Sequence, residues 1–349
     1  MAPTDTWPVI ALRSKRGELE AVSSLGPTLR AQPLLSLELE PDKPRDGLLQ
    51  RVVRAVHELQ DRDCLAMVDA SHLPADGRFP QGGAGALEAL YDLLADTTDL
   101  LRPDPAPFVP VIPADADQQQ IAATWRLGEE IGHGCALRAR VSTISPRQVA
   151  DFVAQPGIDP ATTDLVLDLG YVDSAADPVV AQVVRLLDDF ERQATFRSRT
   201  LLSGSVPKLL SHSHAWEQPR YEELVWQAAS AAGPRDLRFG DYGVVHPGAE
   251  PGRFPSVHMN VKYSCSDHWL YVRERVANPG VEGEQALAAG VVCRGIVESG
   301  SFSGPEYSWG DGLIARGAAG SVETLGARSK LIALGTSHHL SYLSGWAAA

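Results

Sequence analysis

What most constrains this chain is a rhythm: short apolar runs alternate with amphipathic segments at helical spacing from residue 9 to residue 243. Its clearest unit is Asp164-Leu165-Val166-Leu167-Asp168-Leu169-Gly170, followed by an amphipathic pattern from about Asp177 to Arg192. Alternate residues of a strand face opposite sides, so Asp164, Val166 and Asp168 share one face and Leu165, Leu167 and Leu169 the other. A strand that ends in a carboxylate and runs into a helix is one unit of an α/β fold.

Seven further runs read as strands: Val9 to Arg13, Pro33 to Glu40, Cys64 to Asp69, Phe108 to Pro113, Ala136 to Val141, Arg199 to Ser205 and Asp236 to Gly243. Pro110 weakens the fourth, because proline donates nothing to a ladder. Helical spacing is expected over Leu19 to Leu25, Asp46 to Leu59, Gly85 to Leu101, Asp117 to Ile131 and Tyr221 to Ala232. Ser145-Pro146 opens another helix in the favoured order, a cap followed by proline at the first helical position. Eight strands with a helical segment between each consecutive pair, over roughly 240 residues, match a (β/α)8, TIM-like barrel. A doubly wound open sheet is the competitor. It usually has fewer strands and a phosphate loop, and neither GxGxxG nor GxxxxGK[ST] occurs here. An α/β barrel over residues 1–248 is therefore the expected fold.

From about Pro247 the rhythm changes. Val257 to Tyr263 and Trp269 to Arg273 read as a hairpin joined by Ser264 to His268. A helix is expected around Gly283 to Val297, then a loop from Gly304 to Gly312 holding Tyr307, Trp309 and Asp311. Ala327 to Leu343, with His338-His339, is expected to be helical in part. This α+β extension, residues 249–349, is too apolar for disorder and is expected to pack on the barrel as part of one unit.

Composition narrows the partners. Apolar residues make up 44% and charged residues 21%, ordinary for a globular chain. A net charge of -13 argues against a general nucleic-acid binder but leaves room for a local basic pocket. Cys64, Cys135, Cys265 and Cys293 are scattered without a CxxC pair, which suggests neither a zinc knuckle nor a disulfide framework. Met1 to Pro8 lacks the pattern of a secretory signal, and no run of about eighteen apolar residues suggests a membrane span. The cytoplasm is the expected compartment.

Barrel chemistry sits at the carboxyl ends of the strands. That rule nominates Arg13 and Lys15, Glu38 and Glu40, Asp69, Arg138 and Arg140, Asp168, Ser203 and Ser205, and Asp241 with Tyr242. The expected catalytic group is Asp168 as general base with Glu38, Asp69 and Lys15, the lysine adding charge stabilisation. The expected substrate-binding group is Arg13, Arg138, Arg140, Ser203, Asp241 and Tyr242. Arg138 and Arg140, two apart, must point the same way, and buried charges there require partners. Two readings stand side by side: a structural ion-pair network filling the barrel, and a mouth whose arginine forks hold a carboxylate or phosphate beside a general base. Glu38, Asp69, Asp168 and Asp241 are oxygen donors suited to magnesium or calcium, yet no histidine ends a core strand, and no metal is assigned. The residues name no cofactor. His212 and His214 suit either the mouth or a surface loop. Neighbouring helical residues point about a hundred degrees apart, so at most one of His338 and His339 faces a given site. No GxSxG elbow supports a serine nucleophile.

Several short segments, in order, carry a resemblance. Lys15-Arg16-Gly17-Glu18, Leu137-Arg138, Leu167-Asp168, Asn260-Val261-Lys262-Tyr263, Trp269 with Arg273, Trp309-Gly310-Asp311 and Ser337-His338-His339 resemble the phage beta-protein family, found in tailed phages and many bacteria. The likeness spans nearly the whole chain and implies that the tail belongs to the same unit. It departs at Arg273-Glu274-Arg275, where Arg-Gly is expected. It implies no reaction. Two functions follow as expectations: a barrel enzyme acting on a small anionic substrate, or a binding protein whose Trp269, Tyr271, Tyr307 and Trp309 face a protein partner. The family's occurrence suggests, by analogy alone, a place in phage–host conflict.

Overall fold

The computed structural model describes residues 7–39, 44–97, 104–155, 158–210, 214–233, 236–248 and 257–346. They fall into two compact units. The first comprises Met1–Ser14, Ala31–Gly204 and Tyr221–Tyr242; the second comprises Lys15–Arg30, Ser205–Arg220 and Gly243–Ala349.

The first unit is the barrel that the rhythm implies. Strands β1 (Val9–Arg13), β2 (Gln32–Ser36), β3 (Ala66–Asp69), β4 (Phe108–Pro113), β5 (Cys135–Arg140), β6 (Thr163–Tyr171) and β7 (Ser198–Gly204) run in sequence order. The last barrel strand, β9 (Leu237–Asp241), closes the ring by pairing with both β7 and β1. Every pairing within the ring is parallel, and Pro110 sits inside β4 opposite Val68 without ending it.

Strand alternation sorts the side chains. Val9, Ala11, Leu34, Met67, Val109, Val111, Ala136, Val166 and Leu202 form one apolar cluster drawn from seven strands, which fills the lumen. The opposite parity, Leu137, Leu165, Leu167, Leu201 and Leu237 among it, packs in a second cluster with Trp125, Leu187 and Val225. Those three come from helices α4 (Gln118–Ile131), α6 (Asp177–Gln193) and α7 (Tyr221–Ala232). The lumen is polar below this apolar layer. Arg238 donates to Gln32 Oε1 at 2.8 Å, to Ser198 Oγ at 3.1 Å and to the Trp7 carbonyl. Asp164, expected near the start of its strand, accepts from Ser198 Oγ at 2.7 Å and from Arg197.

Helices α2 (Arg45–Gln60), α3 (Gly82–Ala95) and α5 (Pro146–Val153) complete the first unit's layer. The third starts three residues earlier than its expected Gly85, at Gly82, while residues 98–101 of the expected segment lie outside the described residues. Ser145 caps α5 through a capping box with Gln148, as its Ser-Pro start implies.

The second unit holds a three-stranded antiparallel sheet in the order β10–β11–β8, from β8 (His214–Pro219), β10 (His258–Ser264) and β11 (His268–Arg275). The hairpin matches the sequence reading; β8 does not, because its residues carry no apolar alternation, four of the six being exposed and two half-buried. Helices α1 (Arg16–Ser23), α8 (Glu284–Glu298), α9 (Trp309–Ala318) and α10 (Arg328–Trp346) accompany it. The loop expected over Gly304 to Gly312 gives way at Trp309, where the Ser308 side chain caps α9 by accepting from Asp311 N. The tail segment expected to be helical in part is helical throughout α10.

Candidate functional site

Local turns fix two carboxylates at the carboxyl end of the barrel. At the end of β3, Asp69 Oδ1 accepts from the Ser71 amide at 2.8 Å. At the end of β6, Asp168 Oδ1 accepts from the Gly170 amide at 2.8 Å, where the register with β7 slips by one residue. Gly170 holds φ at 67°, a left-handed conformation that costs a side-chain-bearing residue energy. Each turn therefore aims its aspartate rather than leaving it to rotate.

Arg138 lies between the two. Its Nη1 donates to Asp69 Oδ2, while Nε and Nη2 reach Asp168 Oδ2 at 3.0 and 2.8 Å. Tyr242 completes the cluster: its hydroxyl accepts from Arg138 Nη2 at 2.7 Å and donates to Asp168. All four side chains are buried: Asp69 0%, Arg138 5%, Asp168 4% and Tyr242 8% exposed. Burial alone would raise the Asp69 carboxyl, but the Arg138 guanidinium and the Ser71 hydrogen bonds outweigh it and hold its pKa below the ordinary carboxylate value. Burial, then the Asp168 charge, pushes the Tyr242 phenol well up, so it remains a neutral donor. Burial opposes the Arg138 charge, yet Asp168, Tyr242 and Asp69 together raise its pKa well above the usual value.

Arg140, two residues along β5, opens onto solvent. Its Nη2 lies 3.2 Å from His72 Nε2, and among the described residues it forms no ion pair. Arg138, Arg140, His72, Gln120 and Gln148 line one cavity of about 230 Å³ at this end of the barrel, with Asp115 on another wall. The arrangement is a donor-rich pocket over a buried, neutralised guanidinium.

The structure thus brings together Asp69, Arg138, Asp168 and Tyr242, with Arg140 beside them. Arg13 and Glu38 face each other, Nε to Oε1 at 4.0 Å. Ser203 and Asp241 pair across β7 and β9, but they alternate with the lumen-facing Leu202 and Tyr242, so strand parity turns them outward. The Ser203 hydroxyl is buried without a hydrogen-bond partner among the described residues. Lys15 and Ser205 belong to the second unit, the lysine at the N-cap of α1. His214 also belongs there, exposed at the start of β8, whereas Glu40 and His212 lie outside the described residues. Sequence reasoning missed His72. It stands three residues past Asp69 in a βα loop, a position the barrel rule already marks.

Other chemistry has less to build on. Burial pushes the Cys64, Cys135 and Cys293 thiols up to about 12, which keeps them protonated. Among the described residues no group of three or more His, Cys, Asp or Glu is placed to hold a metal ion.

The second unit has a polar network of its own. Asp311 accepts from Tyr263 Oη at 2.7 Å, from Ser308 Oγ at 2.6 Å and from His338 Nδ1 at 2.9 Å. His338 Nε2 meets the Ser264 carbonyl at 2.8 Å, so both ring nitrogens are engaged by oxygens of the fold. That ties up the nitrogen a nucleophile would need, and the motif histidine is a staple of the fold. His339 turns to Trp269, ring centroids 5.1 Å apart, so the two histidines serve different neighbours.

A closed ring of parallel strands with a charged cluster at its carboxyl end defines the class: a (β/α)8 barrel protein, joined here to an α+β unit. Within that class the chain belongs to the Beta protein family, whose model matches residues 8–345. Comparison with curated proteins finds no match. Among solved structures, a Cellulomonas fimi endo-beta-1,4-mannanase double mutant aligns with a TM-score of 0.40 at 10% identity, covering 72% of this chain and 68% of its own. A modular endo-beta-1,4-mannanase from Cellulomonas fimi aligns with a TM-score of 0.42 at 10% identity, covering 73% and 69%. Scores at this level say nothing of activity. Among the described residues no helix is long and apolar enough to cross a membrane.

Proposed function

We propose that the barrel mouth binds a small ligand bearing a carboxylate or phosphate. One observation carries the reading: two guanidinium groups from a single strand line one cavity, and only the deeper one is neutralised by aspartates. Arg140 keeps its charge for a ligand, and a planar fork suits the paired oxygens of such anions. A volume of about 230 Å³ lies below the roughly 300–1,000 Å³ of drug-sized sites and suits a small metabolite. In this reading Asp168 is a positioning residue, since its oxygens already serve Arg138, Tyr242 and Gly170.

The alternative, a protein-binding surface on the tail aromatics, has less support. Trp269 and Tyr271 are 1% and 0% exposed, which leaves Tyr307 as the exposed aromatic of the set.

Calorimetric titration with phosphate and acetate tests the proposal. Saturable binding to the wild type, weakened at least about tenfold (some 1.4 kcal/mol) in Arg140→Gln, is the expected outcome. No saturable heat with either anion, or unchanged affinity in the variant, overturns it.

A further inference from the structure

We infer that His72 is the second ligand-contacting residue of the mouth, and that the ligand group it selects is an oxyanion bridging His72 and Arg140. The inference rests on the anion-binding reading of that pocket. A guanidinium has donors and no acceptor, so the 3.2 Å contact between Arg140 Nη2 and His72 Nε2 makes Nε2 the accepting nitrogen. The ring is then neutral, with its proton on Nδ1. Both side chains line the same cavity and both are exposed to it.

An oxyanion entering between them changes that pairing. Arg140 turns its N–H groups to the anion, and Nε2 loses the donor it was accepting from. The ring then takes one proton from solvent onto Nε2 and becomes a second donor to the anion. The proton leaves a buffer acid, whose bond to it breaks as the Nε2–H bond forms, and one anion binds beside the resulting imidazolium and the Arg140 guanidinium. The charged groups around His72 favour this. Across from it stands Arg140, which repels an imidazolium until an anion lies between them. Below are Asp69, whose charge also acts on His72, and Arg138, which pairs with that aspartate. Asp115, from the segment after β4, lines the same cavity. An anion with at least two acceptor oxygens satisfies both donors at once; a halide or a neutral sugar does not.

Sulfate is the suitable probe, because it stays doubly charged across the range in which imidazole takes up its proton, about pH 8.5 to 5.5. Titrations in two buffers of different ionisation heat read affinity and proton uptake together. Wild-type affinity should rise about tenfold towards the acid end, a shift of about one pK unit on binding, with about half a proton taken up per sulfate at the steepest point. His72→Gln should bind at every pH as weakly as the wild type does at the alkaline end. The exposed position lets that variant fold, which circular dichroism verifies. Wild-type affinity that ignores pH, or a pH response surviving in His72→Gln, overturns the role of His72 while leaving the mouth reading intact. If sulfate, phosphate and acetate all fail to bind at any pH, the mouth reading falls, and this inference with it.

Discussion

Arg138 is the residue on which the electrostatics of the barrel end depend, because two buried carboxylates share its guanidinium. Removing it strands both in a low-dielectric interior, so Arg138→Met should cost about 3–5 kcal/mol in urea unfolding. A loss below about 1 kcal/mol would mean that water reaches the carboxylates. Tyr242→Phe removes one donor to Asp168 and one acceptor from Arg138; a loss of about 1–3 kcal/mol is expected by the same measurement. The pH dependence has a definite sign. The folded-state pKa of Asp69 lies below the ordinary value of about 3.9. Its stabilisation is therefore complete above that value and is lost as pH falls through the lowered one. Asp69→Asn should flatten the acid limb of stability against pH, whereas an unaltered limb would show that the pair contributes nothing.

At the scale of elements, caps and crossings make local claims that can be checked. Helix α4 begins with a capping box, Asp117 accepting from Gln120 N at 2.8 Å, and ends on Gly132 in the left-handed conformation. Asp117→Ala should cost about 0.5–2 kcal/mol in thermal unfolding. Helices α9 and α10 meet where an added Cβ at Gly310 would stand 2.3 Å from the Leu334 carbonyl. Gly310→Ala should cost about 1–3 kcal/mol, and normal stability would mean that the crossing yields easily. The strands were legible because their period is local. β8 was not, since its partner is β11 and residues 214–219 carry no apolar pattern to announce it. In the candidate site, counting parity along β5 and β6 placed Arg138 and Asp168 on the lumen face. The same count along β7 and β9, from Leu202 and Tyr242, turns Ser203 and Asp241 outward.

For the whole molecule, the decisive fact is that the second unit is assembled from three stretches of chain. Residues 15–30 pack through α1 on α10, and residues 205–220 pair through β8 with β11. A fragment ending at residue 248, the boundary the change of rhythm suggests, keeps both stretches but loses α10 and β11. Limited proteolysis of that fragment should cut within 15–30 and 205–220 far faster than in the full chain. Equal resistance would show that those stretches hold their structure alone.

The sequence alone determined the alternation of strand and helix, the two-faced pattern along each strand, and the carboxyl-end residues Asp69, Arg138, Arg140 and Asp168. These follow from periods of about two and 3.6 residues, which neighbours in the chain impose on one another. Only the tertiary structure decided which charges meet. It neutralised Arg138 between Asp69 and Asp168, left Arg140 beside His72, and joined Asp311 to His338 with Tyr263. Such pairings join residues up to 104 positions apart in the mouth cluster, and only chain closure brings them within hydrogen-bond range.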